Sequence, residues 1–103
     1  MRRIEFLGNS LDELRNFPVG ARKEAGVQLH KVQQGLEPSD WKPMTGVGPG
    51  VGEIRIRDDA GAFRILYLAR RAETVFVLHA FQKKNRQTAK RDLELAAERL
   101  REV

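Results

Sequence analysis

The sequence predicts an α+β fold, and three observations carry the prediction. Apolar residues recur at helical spacing in two stretches, Ala21, Ala25, Leu29 and Val32 near the start and Leu93, Ala96, Ala97 and Leu100 near the end. Between them the period changes to two: Ile54 and Ile56 alternate with Glu53, Arg55 and Arg57, and two further strand-like runs follow. A Pro- and Gly-rich stretch, residues 36–52, separates the first helical region from the strands. The expected architecture is an N-terminal strand and a helical hairpin packed on a small antiparallel sheet, a three-strand meander, followed by a C-terminal helix. With 103 residues, 41% of them hydrophobic and 32% charged, the chain has room for one core, and residues 1–103 read as a single domain.

Each element follows from local chemistry. Arg3 to Leu7 is a short strand broken by Gly8-Asn9. Ser10 with Glu13 three residues later forms a capping-box pattern, so a helix is expected to start there. It stops near Phe17, because Pro18 restricts the residue before it while suiting the first turn of a second helix, which Gly35 is placed to cap. In residues 36–52, Trp41 and Met44 are candidate anchors of a loop. Its glycines match neither phosphate-loop pattern and precede a strand instead of joining a strand to a helix, so a flexible connection is the reading. From Gly52 the first meander strand runs to the turn signal Asp58-Asp59-Ala60-Gly61, and Phe63 to Leu68 forms the next. Arg71-Ala72-Glu73-Thr74 makes a second connection, Val75 to Phe81 is a nearly all-apolar strand, and Thr88 is the expected N-cap of the last helix.

Composition narrows the function. No cysteine is present, which removes disulfides, thiol nucleophiles and thiolate metal sites and fits a reducing compartment; cytoplasm is the expected location. The segment after Met1 is too short and interrupted for a signal sequence, and no stretch approaches a membrane span, so no membrane partner is expected. The balance of 19 Lys+Arg against 14 Asp+Glu, a net +5, favours a polyanionic partner. The cations are concentrated: Lys83, Lys84, Arg86, Lys90 and Arg91 fall together in residues 82–91 with no acid among them. Arg55, Arg57 and Arg64 stand in strand patterns whose other positions are mostly apolar. RNA is the leading ligand class, since guanidinium and ammonium groups can hold phosphates and stabilise the charge that develops when a phosphodiester is cleaved.

The order of elements resembles the RelE/ParE toxin superfamily, and within it the HigB-like, phage-associated branch. The residues that carry the resemblance are Trp41-Lys42-Pro43-Met44, Gly52-Glu53-Ile54-Arg55-Ile56-Arg57, Phe63-Arg64-Ile65-Leu66-Tyr67, and His79-Ala80-Phe81-Gln82-Lys83-Lys84 followed by Thr88. The resemblance implies a type II toxin–antitoxin role: an endoribonuclease that cuts mRNA on the ribosome and is silenced by an antitoxin, expected to be a helix-turn-helix protein. It implies catalytic roles for Arg64 and Lys83 and RNA-backbone contacts for Arg55, Arg57, Lys84 and Arg86. The chain departs from RelE in carrying Glu53 where a lysine is expected and in having no tyrosine after the final strand, so His79 and Glu53 are left as the proton-transfer candidates. A non-catalytic ParE-like inhibitor of DNA gyrase, or a degenerate homologue that only binds antitoxin, is the competing expectation.

Each residue also has a structural reading. An unpaired Arg64 would be costly to bury, so either Glu53 pairs with it or it opens into a cleft. Arg55 and Arg57 fit the solvated face of an edge strand equally well, and Lys83 and Lys84 fit solubilising charge. His79, in simple alternation, shares a face with Val75, Val77 and Phe81 and reads as a packed histidine as readily as an acid–base group. His30 reads as surface, Tyr67 as packed against the helices. No metal site and no cofactor are expected, because the two histidines lie far apart without carboxylates at ligand spacing and a 2′-hydroxyl can itself be the nucleophile.

Overall fold

The computed structural model describes residues 1–70 and 73–103; Arg71 and Ala72 of the expected second connection lie outside the described residues. In chain order the elements are β1 (Arg3–Phe6), α1 (Ser10–Arg15), α2 (Val19–Gln33), β2 (Trp41–Pro43), β3 (Val51–Asp58), β4 (Gly61–Arg70), β5 (Thr74–Lys83) and α3 (Lys90–Leu100). The α+β class and every expected element are present, with one addition. Trp41–Pro43, read as loop, is a strand that pairs antiparallel with β3 through Trp41↔Ile54 and Pro43↔Gly52. Three residues containing a proline give no periodic signal, and Pro43 at a sheet edge gives up no ladder bond that a neighbour needs. The result is a five-stranded mixed sheet of order β1-β5-β4-β3-β2, in which β1 runs parallel to β5 and the rest is antiparallel.

Two caps differ from expectation. Asn9, not Ser10, precedes α1, because Ser10 is drawn inward and its hydroxyl donates to the Val77 carbonyl at 3.2 Å, a buried bond linking helix to sheet. Thr88 does not cap α3; Ala89 takes that position and the Thr88 hydroxyl is engaged elsewhere. The α2 end is close to expectation: Gln34 is the C-cap and Gly35 follows at φ 84°, where the bonds Gly35 N–H to Val32 O and Leu36 N–H to Lys31 O close a Schellman motif.

Packing divides the sheet into two faces. One buries Ile54, Ile56, Phe63, Ile65, Tyr67, Val75, Val77 and Ala80 under α1 and α2, whose Leu14, Phe17, Ala21, Ala25, Leu29 and Val32 supply the opposing surface. The Tyr67 ring lies over Gly52, where a Cβ would stand 2.9 Å from it, so only glycine admits the ring there. The other face carries Val51, Leu66, Leu68, Leu78 and Phe81 under the apolar stripe of α3, Leu93, Ala96, Ala97 and Leu100. Arg99 anchors that helix by donating to the Leu78 carbonyl at 2.9 Å and to Asn9 Oδ1 at 2.6 Å.

Strand alternation fails once. Leu66 pairs with His79 and Tyr67 with Val77, so Leu78 is an extra residue on β5, a bulge that reverses parity beyond it. His79 therefore does not share a face with Val75 and Val77. It lies with Phe81 on the α3 side, their rings stacked with centroids 4.9 Å apart.

Candidate functional site

Cross-strand register assembles the cations. Arg55 on β3 lies directly opposite Arg64 on β4, Arg57 opposite Ala62, Arg64 opposite Phe81 on β5, and Ala62 opposite Lys83. Residues opposite one another in a ladder point to the same side. The α3 face therefore collects Arg55, Arg57, Arg64 and Lys83 at the end of the sheet nearest the β3–β4 turn, while the α3 stripe packs on the Val51, Leu66, Leu68 and Leu78 end. β2 flanks β3 over Gly52 to Ile54, with Lys42 on β2 the register partner of Glu53, so the pairing stops short of Arg55 and Arg57.

Arg64, on the central strand, is the pivot. It is only 6% exposed, yet it lines an open pocket of about 190 Å³ together with Asp40, Arg55, Ile56 and Arg57. Both alternatives raised for it hold at once, since it opens to this pocket and also faces Glu53, with Nε 3.6 Å from Glu53 Oε1. Nη1 donates to the Phe63 carbonyl at 3.0 Å, whereas Nε has no hydrogen-bond partner among the described residues. Burial pushes the guanidinium below its ordinary range; Glu53 opposes this, and Arg55 and Arg57 reinforce it. Arg55 is partly neutralised by Asp40, whose Oδ1 accepts from Arg55 Nε at 3.1 Å.

Lys83 lies at the end of β5, half-exposed. Its ammonium is held below the usual lysine range, first by desolvation and then by Arg64, with Lys42 and Arg55 adding to Arg64 and Glu53 opposing. Lys83 also lines a second, smaller pocket of about 70 Å³ with Lys84, Asn85, Gln87, Arg91 and Asp92, between the end of β5 and the start of α3. It thus stands between the two. Lys84 belongs to the second pocket, while Arg86 is exposed on the bend that follows and lines neither.

The proton-transfer candidates are seated away from solvent. Glu53 is 1% exposed, with Oε1 toward Arg64 and Oε2 accepting from the Thr88 hydroxyl at 3.1 Å. His79 is buried beneath α3, its Nε2 2.7 Å from Asp92 Oδ1 and its Nδ1 without a partner among the described residues. His30 is exposed on α2, and Trp41 is half-buried, its indole N–H donating to Glu37 at 2.8 Å. Tyr67 faces the helices on the opposite side of the sheet, where burial and then Glu37 push its hydroxyl up to about 12.

Three members of the site escaped the sequence reading. Lys42 belongs to a segment read as loop, Asp40 precedes that segment with no pattern around it, and Thr88 carried a stronger local signal as a cap. None has a local signature of its place in the site, since each acts across the sheet. Among the described residues no three His, Asp or Glu side chains converge as metal ligands. Among the described residues no helix is long and apolar enough to cross a membrane. The arrangement can hold and polarise a phosphodiester: two half-neutralised guanidiniums, one further arginine and a lysine around a concave patch.

Comparison with known proteins gives this geometry a context. The family model "Phage derived protein Gp49-like (DUF891)" matches residues 12–101. Among solved structures, the chain is similar to a double arginine-to-alanine mutant of the E. coli toxin RelE in the free state, at 18% identity, covering 99% of this chain and 97% of that one with a TM-score of 0.68. It is also similar to a chain of the intact E. coli RelBE toxin–antitoxin complex, at 16% identity over 82% of this chain and 100% of that one, TM-score 0.57. No curated protein matches the sequence.

Proposed function

Because the chain belongs to the phage derived Gp49-like family and carries the RelE fold, we propose that it is the toxin of a toxin–antitoxin pair and acts as a metal-independent endoribonuclease on mRNA in the ribosome. The observation that carries the proposal is Arg64. A nearly buried guanidinium with an unspent Nε–H opens into a pocket that two other arginines line, with Lys83 beside it. A buried donor left without a partner calls for an explanation, and a phosphate oxygen is the ligand that all of these groups suit.

In this reading the 2′-hydroxyl of the message attacks the adjacent phosphorus, its proton passing to water or to a group of the ribosome, as the bond from phosphorus to the 5′-oxygen breaks. Arg64 and Lys83 stabilise the charge on the equatorial oxygens, and Arg55, Arg57 and Lys84 hold the flanking backbone. Lys83, with its proton loosened by burial and by its cationic neighbours, is suited to protonate the departing 5′-oxygen. The products carry a 2′,3′-cyclic phosphate and a 5′-hydroxyl. The cluster offers cations but no solvent-facing base beyond Asp40, which Arg55 already engages, so alignment by the ribosome supplies the remaining acceleration. The toxin works in the cytoplasm, silenced by an antitoxin that covers the cationic face, as the RelBE likeness suggests. The HigB-like resemblance makes a helix-turn-helix protein the expected antitoxin.

Primer extension on a translated message after induction tests this. Cuts in register with codons are expected, with little cleavage of free RNA and undiminished cutting in EDTA when another polycation keeps ribosomes intact. Metal-dependent cleavage of naked RNA would overturn the mechanism. Gyrase-linked DNA breaks without mRNA cuts would replace it with the non-catalytic reading.

A further inference from the structure

Glu53 is the charged side chain that the cationic face hides most completely, and its two oxygens have different partners. Oε1 faces Arg64 Nε at 3.6 Å, and Oε2 accepts from Thr88 Oγ1 at 3.1 Å. At 1% exposure neither oxygen is open to a hydroxyl lying in the Arg64 pocket, so Glu53 is poorly placed to take a proton from RNA. One carboxylate instead joins three pieces of the site: β3, to which it belongs; β4, through Arg64; and the connection from Lys83 to α3, through Thr88.

We propose that Glu53 and Thr88 are positioning residues for the phosphate site, the threonine hydroxyl holding the carboxylate at the angle that leaves the Arg64 guanidinium turned toward the pocket. The inference rests on the nuclease reading of that pocket. Its physical core is the 3.6 Å separation, which is charge pairing without a hydrogen bond at Nε. A buried carboxylate facing a buried guanidinium has every electrostatic reason to close to a short, bidentate contact. Closure would spend the donors that a phosphate needs. Thr88 opposes it by holding Oε2. The same bond ties down the segment that carries Lys84 and Arg86, so that both cation groups are set relative to one carboxylate.

Two isosteric changes then act in opposite senses on binding. Thr88→Val frees Glu53 to capture Arg64, so binding weakens and turnover falls. Glu53→Gln releases Arg64 from its counter-charge, so binding tightens while turnover falls, because the guanidinium is no longer oriented. Thr88→Ser restores the hydroxyl.

The test measures kcat and KM for ribosome-bound message cleavage in Thr88→Val, Thr88→Ser and Glu53→Gln, alongside the Arg64 Nε–H signal in ¹H–¹⁵N NMR of the free proteins. The expected result is a fall in kcat on the order of 10²-fold in both the valine and glutamine variants, as for a misplaced reacting group. KM should rise in the first and fall in the second, with near-parental values for Thr88→Ser. The Nε–H signal should shift downfield in Thr88→Val and broaden in Glu53→Gln. KM moving in the same direction in both variants, or kcat losses that merely track the unfolded fraction, would overturn the inference. So would an Arg64 signal unchanged in both. If the parent protein cuts no message, the nuclease reading fails by itself, and the NMR arm still decides whether Glu53 and Thr88 position Arg64.

Discussion

Replacing Arg64 by alanine should destabilise the protein as well as disarm it, and the reason lies in what remains. Glu53 is 1% exposed and the Arg64 side chain 8%, so deleting the guanidinium leaves a buried carboxylate whose remaining direct partner is the Thr88 hydroxyl. Breaking a buried pair by removing one partner destabilises by about 3–5 kcal/mol. The lower end applies because the pocket admits water where the guanidinium stood. A loss of about 3 kcal/mol in a chain of this size corresponds to a Tm lowered by about 12–24 °C. Replacing both members, Arg64→Met with Glu53→Met, removes the orphaned charge and should restore most of that loss, because a buried pair and an apolar substitute of similar volume are nearly equivalent. Thermal and urea melts check this. A single variant melting within about 4 °C of the parent, about 1 kcal/mol or less, or a double variant melting no higher than the single one, would refute the reasoning. Loss of toxicity in Arg64→Ala is therefore interpretable only beside a melt.

Lys83→Ala combined with Lys84→Ala should lower the slope of log affinity against log salt, for ribosome or RNA association, by roughly one unit per lost phosphate contact; an unchanged slope places both outside the anion site. Gly52→Ala should destabilise by about 1–3 kcal/mol in a urea melt, because its Cβ would meet the Tyr67 ring at 2.9 Å inside a packed core. Tyr67, held near 12 in the fold against about 10 in the unfolded chain, binds its proton more tightly when folded. Its contribution to stability is therefore complete below pH 10 and is lost as pH rises from there toward 12. Tyrosinate absorbance should titrate with a midpoint near 12 while the fold persists, and near 10 in urea.

Local periods and local stop signals were enough to settle the α+β class, the helical hairpin, the meander with its Asp58–Gly61 turn, and the C-terminal helix. They also located the cations, since Arg55, Arg57, Arg64 and Lys83 stand out in strands whose other positions are mostly apolar. The errors of the sequence reading share one physical cause. Trp41–Pro43 becomes a strand because β3 offers it a partner, Ser10 turns from cap to tether because the Val77 carbonyl lies within reach, and Thr88 leaves the helix start for Glu53. In each case a long-range polar group outcompeted the local one. The bulge at Leu78 is of the same kind: it depends on how β4 and β5 register, and it alone decides that His79 faces Asp92 and α3 instead of the α2 core. Which cations meet, and around which buried carboxylate, was decided only when the register set Arg64 opposite Arg55 and β2 brought Lys42 opposite Glu53. Local sequence can supply charges and periods, but the distance between two side chains on different strands is a property of the assembled sheet.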